Sequence, residues 1–344
     1  HFMKQKIVHI SDLHFDPISP EYSSQMLVNL KADLDSIFSD IRDENHRPVL
    51  IFTGDIVQSG AKKSQYEEFQ TAFNHLFKSG TDNYFDKIIL IPGNHDVDQS
   101  LVAKYRPMIS GVSGELRDID AVNSFTDPKS DLFTELMQNY VSFETLFSDL
   151  GACELDFFGS GHKLNDDVGI YCMNSAWYSF AGLETDTRKS DEGHLLASTR
   201  KITAWLQENS HLPYKIIAMH HPISWFRDDI RIELQRLISD HFTLCLFGHL
   251  HEAEHNKVTS SSSSVIWGQA GAISTKDRQE LCYQVIQIDK QNSEIQFNVR
   301  VFAPKVGKFV SGSALTGNND GSVVFSIPNK TSDTHLLHEV SAVY

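Results

Sequence analysis

The chain has 344 residues, 40% hydrophobic and 22% charged, a balance that excludes intrinsic disorder and supports a sizeable buried core. Acidic residues outnumber basic ones 45 to 30, for a formal charge of −15, which works against long-range attraction to nucleic acid or anionic membrane. No apolar run approaches the roughly 20 residues needed to span a bilayer, and the N-terminus lacks the basic-then-apolar layout of a secretion signal; the expectation is a cytoplasmic protein without a membrane partner.

His1 and Phe2 precede Met3 and read as an expression remnant. From there, short β-branched runs at residues 6–10, 49–52, 87–91, 169–173, 215–219 and 243–247 alternate with segments of helical period, the pattern of a layered α/β sandwich. Residues 23–41 carry Leu27, Leu30, Leu34 and Phe38 at helical spacing, and 66–77 repeat the pattern. The stretch 102–150 is too long for a simple loop and reads as an insertion or cap, with Leu132, Phe133, Leu136, Tyr140 and Phe143 predicting a helix. After His255 the pattern changes to hairpins at 265–268, 283–288 and 295–302, with 289–293 as a turn, which predicts a second, antiparallel part of the fold. The serine run 260–264 reads as a solvated hairpin loop. Residues 3–330 are expected to form one domain, with 256–330 its strand-rich end and 331–344 a tail. Cys153, Cys172, Cys245 and Cys282 show no C-x-x-C spacing and read as reduced thiols.

The junctions after the strands carry the chemistry. Five strand ends present metal-ligand residue types: Asp12 and His14; Asp55; Asn94 and His95; His220 and His221; His249 and His251. Any one histidine there is more often a satisfied core or surface residue than a ligand. In an α/β sheet, however, the carboxyl ends of neighbouring strands converge on one rim, so the five junctions are not independent. Two carboxylates, an amide oxygen and several imidazoles, with no thiolate, suit manganese, iron or zinc. The set also exceeds the needs of one ion. Two metals about 3.5 to 4 Å apart could clamp the attacking and departing oxygens of an in-line phosphoryl displacement and acidify a bridging water. Two divalent ions less two carboxylates and one hydroxide leave about one positive charge, enough to draw in an anionic ester.

The series Asp12-Leu13-His14, Gly54-Asp55, Gly93-Asn94-His95-Asp96, His220 and Gly248-His249-Leu250-His251 resembles the calcineurin-like metallophosphoesterases. The resemblance spans residues 12–251 and omits none of the family's motifs. It implies a four-layer αββα sandwich of two mixed sheets flanked by helices, with a dinuclear site at the strand C-terminal ends. It further implies that Asp12, His14 and His251 hold one metal, that Asn94, His220 and His249 hold the other, and that Asp55 bridges them. His220 is chosen over His221 because the family's ligand stands two residues before the proline. His95 then faces the substrate as a catalytic group, able to protonate the leaving oxygen or stabilise phosphoryl charge, and Asp96 orients its ring.

Phe15, Asp16, Asn174, Tyr178, Trp225 and His255 lie close in sequence to these positions, but structural roles are the commoner reading for such neighbours. The expected activity is hydrolysis of a phosphodiester by a metal-bridging hydroxide, with a small nucleotide-type or glycerophosphodiester substrate favoured. The alternatives are a DNA nuclease of the double-strand-break-repair type, which the absence of any basic run opposes, and a binding module on the same fold that has lost catalysis. Self-association and fusion to further domains stay open.

Overall fold

In β1 (Gln5–Ile10) and β2 (Val49–Thr53), successive side chains face opposite ways. Ile7, Val49 and Ile51 enter one apolar cluster, while Val8, Leu50 and Phe52 enter another. Both faces are therefore covered, which is why these runs are apolar throughout rather than alternating. The computed structural model describes residues 4–16, 20–38, 47–79, 82–125, 130–147, 157–180, 191–259, 263–274 and 280–327. Cys153, the tail at 331–344 and most of the serine run lie outside them.

The remaining strands are β3 (Lys78–Ser79), β4 (Asp82–Asn83), β5 (Lys87–Ile91), β6 (Gly159–Lys163), β7 (Val168–Met173), β8 (Tyr214–Ala218), β9 (Leu244–Phe247), β10 (Glu254–Thr259), β11 (Ser264–Gln269), β12 (Cys282–Asp289), β13 (Glu294–Ala303), β14 (Lys308–Ser311) and β15 (Ser322–Ser326). One sheet runs β14-β13-β12-β1-β2-β5, with β15 also on β13; the other runs β10-β11-β9-β8-β7-β6. Both are mixed. In the first, β1, β2 and β5 are parallel and β12 joins β1 antiparallel. In the second, β7, β8, β9 and β11 are parallel, and β6 and β10 are antiparallel edges. Ile7, Ile51, Ile89 and Ile286 of the first sheet share one cluster with Ile170, Ile216, Leu246 and Ile266 of the second, so the two sheets pack face to face.

Helices cover the outer faces: α1 (Pro20–Ile37), α2 (Lys63–Phe77), α3 (Gln99–Lys104), α4 (Arg106–Glu115), α5 (Ile119–Asn123), α6 (Ser130–Leu136), α7 (Gln138–Phe147), α8 (Thr199–Glu208), α9 (Asp228–His241) and the short α10 (Ser313–Thr316). Phe69 of α2 meets Phe52 of the first sheet, and Trp205 of α8 meets Tyr171 of the second. The layers are thus helix, sheet, sheet, helix. Among the described residues, no helix is long and apolar enough to cross a membrane. Cys172, Cys245 and Cys282 are buried.

Two sequence expectations need correction. The strands after His255 do not form a separate antiparallel part: β10 and β11 complete the second sheet, with β11 parallel to β9, whereas β12 to β15 extend the first. The reason is burial. Ile286 and Ile288 of β12 enter the cluster between the sheets, which they reach by pairing with the open side of β1. The 102–150 stretch holds not one helix but most of five, α3 to α7, because the helical signal is cut by a proline at the start of α4 and by Asp118, which caps α5 by accepting from Ala121 N. Val102, Ile109, Leu116, Val122 and Phe133 are buried in the main core.

Candidate metal centre

The parallel strands β1, β2, β5, β8 and β9 end a few residues at most before Asp12, Asp55, Asn94, His220 and His249. Backbone bonds then fasten these loops to one another. Asp12 N donates to Gly54 O at 3.0 Å, and His14 N to Asp55 O at 2.9 Å; Gly248 N reaches His220 O at 3.0 Å. Of the six non-glycine described residues with positive φ, five are Asp12, His14, Asp55, His249 and His251, at 47° to 71°. Left-handed backbone is unfavourable for residues with a side chain, and its concentration at one site points to a geometry imposed by function.

The side chains meet in two groups that share Asp55. In the first, His251 Nε2 stands 3.3 Å from Asp12 Oδ1 and 3.3 Å from His14 Nε2, while His14 Nε2 lies 3.9 Å from Asp55 Oδ2. In the second, His220 Nε2 stands 3.4 Å from Asp55 Oδ2, 3.2 Å from Asn94 Oδ1 and 3.1 Å from His249 Nδ1. The structure therefore brings together all seven residues expected to be ligands. Two glycines make room. A Cβ on Gly93 would lie 2.1 Å from Asp55 Oδ1, and one on Gly248 would lie 1.9 Å from Ser11 Oγ.

The calcineurin-like phosphoesterase family matches residues 5–253. The chain belongs to that family. No curated protein matches it. Similar solved structures include TT1561 of Thermus thermophilus (11% identity, TM-score 0.41, covering 90% of this chain and 99% of that one). They also include a conserved uncharacterized protein of Streptococcus pneumoniae, described as a predicted phosphoesterase (12%, 0.35, 95% and 99%), and Vps29 of Chaetomium thermophilum (9%, 0.36, 96% and 99%).

As a calcineurin-like phosphoesterase site, the donor set fits divalent metal. Donors bound at about 2.0 to 2.2 Å from one ion stand roughly 3 to 3.5 Å from each other, the spacing of the second group and of His251 with Asp12 and His14, while His14 Nε2 lies somewhat farther from Asp12 Oδ1 and Asp55 Oδ2, at 3.7 and 3.9 Å. Hydrogen bonds account poorly for the same contacts. Asp12 Oδ1 is buried without a hydrogen-bond partner among the described residues, and two of the closest pairs, His14 with His251 and His220 with His249, set nitrogen against nitrogen. The field within the cluster also calls for positive charge. Burial works against ionisation of Asp12, yet the neighbouring His251, His220 and His14 imidazoles hold its carboxyl down at about 2. Burial likewise works against charge on His220, but Asp55 draws its imidazole up to about 9. His249 goes the other way: burial, and then the charge on His220, push it down to about 4, leaving a neutral nitrogen suited to a metal. His220 Nδ1 donates to Thr53 O at 2.6 Å, which fixes the ring and turns Nε2 toward Asp55 and Asn94.

His95 sits beside this cluster, with its ring 4.6 Å from that of His14 and its backbone N–H donating to Asp55 Oδ1 at 2.8 Å. The expectation that Asp96 orients this ring is corrected. His95 Nδ1 meets Gln58 O at 2.9 Å, and a carbonyl only accepts, so Nδ1 carries hydrogen and Nε2 is the ring's reactive nitrogen. The Asp96 carboxylate instead accepts from Gly93 N at 2.8 Å, Ile56 N at 3.4 Å and the Tyr66 hydroxyl at 3.0 Å. It binds the Asn94–Asp96 turn to the Asp55 loop; burial, with repulsion from Asp55, raises it to about 6.

Gln58 and Tyr66 escaped the sequence reading. Gln58 acts through its main chain, which leaves no mark on residue type, and Tyr66 looked like one more apolar position of a covering helix. His221 is held by Ser175 Oγ at 2.9 Å on Nδ1, has a buried, unpartnered Nε2, and also falls in a close group with His220 and His249. Trp225 packs edge-on against His249 with centroids 4.1 Å apart. His255 bonds to Gln284, and Tyr178 to Ser113.

Proposed function

We propose that the chain hydrolyses phosphodiesters with two divalent ions, one held by Asp12, His14 and His251, the other by Asn94, His220 and His249, with Asp55 touching both. The observation that carries this reading is the convergence of all seven donors into two groups joined by one carboxylate, with His95 alongside. When bound, manganese, iron or zinc ions supply an acidified water as nucleophile and offset charge on the phosphoryl oxygens. His95, its Nδ1 engaged by Gln58 O, presents Nε2 to the leaving oxygen and gives it a proton. Asn94 and Asp55 hold that imidazole beside the donors that would bind the metals, since His95 follows one and donates its N–H to the other.

A diester is favoured over a monoester on charge. Among the described residues, the ion pairs of Asp12 and Asp55 are with His14, His220 and His251 rather than with lysine or arginine. The formal charge of −15 also opposes the second negative charge of a monoester more than the single charge of a diester. The formal charge of −15 favours a small substrate over DNA. The test is turnover of bis(p-nitrophenyl) phosphate against p-nitrophenyl phosphate by protein reconstituted with each metal in turn, followed by cyclic and linear nucleotide diesters, glycerophosphodiesters and hairpin DNA. Faster cleavage of the small diesters supports the reading. Preference for the monoester, or efficient cutting of DNA at physiological salt, overturns it.

A further inference from the structure

Between α6–α7 and the strands β5, β6 and β7 lies a cavity of about 100 Å³. Leu90, Met137, Val141 and Phe157 give it an apolar wall. Two polar atoms on that wall have no hydrogen-bond partner among the described residues: the Tyr140 hydroxyl, in a residue 2% exposed, and Glu144 Oε2, in a residue 9% exposed. They stand four residues apart on α7 and so share one helix face. A carboxyl in such a place is costly unless a cation meets it, and a leucine would pack there without that cost. Burial lifts the Glu144 carboxyl to about 8, and no charge among the described residues contributes. Tyr140 and Phe157 also line the cavity, and aromatic rings favour nearby cations. None of the seven candidate metal ligands lines this cavity.

We propose that the cavity is a second binding site, separate from the metal centre, for a small aliphatic amine whose ammonium pairs with the Glu144 carboxylate while its hydrocarbon part fills the apolar wall. On binding, the carboxyl releases its proton to solvent and the ammonium takes the proton's place, so charge at the site stays balanced. The Tyr140 hydroxyl sits on the same face as a further polar contact. Size limits the hydrocarbon: an apolar cavity of roughly 150 Å³ holds benzene, so this one suits about four carbons.

The experiment titrates n-butylamine and, separately, 1-butanol into the full chain while following the Met137 and Val141 methyl resonances by NMR. The expected result is a saturable shift with butylamine and at least about tenfold weaker binding of butylamine to Glu144→Gln, with butanol affected about equally little in both proteins. Val141→Phe, which fills the space, should abolish the amine response. Glu144→Gln is nearly isosteric and removes a buried ionisable group, so its comparison stands even if the filled variant fails to fold. Three outcomes overturn the proposal: no saturable shift with butylamine, equal amine affinity in wild type and Glu144→Gln, or butanol binding as tightly as butylamine. Phosphodiester turnover is not read in this experiment, so neither result bears on the reading of the metal centre.

Discussion

The backbone N–H of His95 donates to Asp55 Oδ1 at 2.8 Å, while Asp55 Oδ2 stands 3.4 Å from His220 Nε2 and 3.9 Å from His14 Nε2. One carboxylate thus sets the place of the candidate acid and joins the two donor groups. Two like-charged ions a few ångströms apart repel strongly unless an anion lies between them. Asp55→Asn keeps the shape and an oxygen for the His95 N–H but removes that anion. The expected outcome is a fall in metal content from two ions to less than one per chain by elemental analysis, with turnover down by on the order of 10² to 10³ or more. Retention of both ions would show that Asp55 does not bridge.

His95→Ala should leave metal content unchanged and lower turnover by roughly 10² to 10⁴, the range of a positioned acid or base. Gln58→Ala makes the complementary case. It is the Gln58 carbonyl that holds His95 Nδ1 at 2.9 Å, with the side-chain amide farther off at 3.3 Å, so truncating the side chain should cost less than about tenfold. A Gln58→Ala defect as large as that of His95→Ala would contradict the tautomer assigned to the ring.

The two cases also show what residue types can and cannot reveal. The convergence of Asp12, His14, Asp55, Asn94, His220, His249 and His251 was legible because strand ends place such side chains on one rim. The strand runs were legible as well, since interiors buried on both faces leave continuous apolar segments. The grip of Gln58 O on His95 was not legible, because every residue has a carbonyl. The direction of the Asp96 carboxylate was hidden too, as it depends on where the main chain of Gly93 and Ile56 turns and on Tyr66 arriving from α2. The split of the last strands between both sheets depends on which edge is left open, a property of the assembled sheets and not of any local pattern.

Gly93→Ala tests the close packing of the Asp55 and Asn94 loops. The added methyl would sit 2.1 Å from Asp55 Oδ1 and 2.4 Å from Asp55 N, with backbone on one side leaving no flexible neighbour to yield. The expected outcome is near-native secondary structure by circular dichroism, with a melting temperature lowered by a few degrees, corresponding to about 1–3 kcal/mol for an overpacked site, and with metal content below one ion per chain. Full metal content with normal turnover would mean that the Asp55 loop has freedom to move aside.

Glu144 makes a prediction about pH that is independent of the metal centre. Its carboxyl titrates at the ordinary 4.5 when the chain is unfolded and at about 8 when burial withholds water from it. Between those values the folded chain holds a proton that the unfolded chain has shed, so the folded state binds more protons and stability must fall as pH rises. The loss begins above the unfolded value, steepens to at most ~1.4 kcal/mol per pH unit, and levels off once the folded carboxyl has ionised near 8. Other groups add their own slopes, so the quantity to measure is the difference between wild type and Glu144→Gln in urea unfolding at a series of pH values. The glutamine variant should gain on wild type by ~1 kcal/mol or more between about pH 5 and pH 8, with no further gain above that range. Parallel curves would show that Glu144 reaches water and ionises normally, and the carboxyl would then have no need of a cation in the cavity.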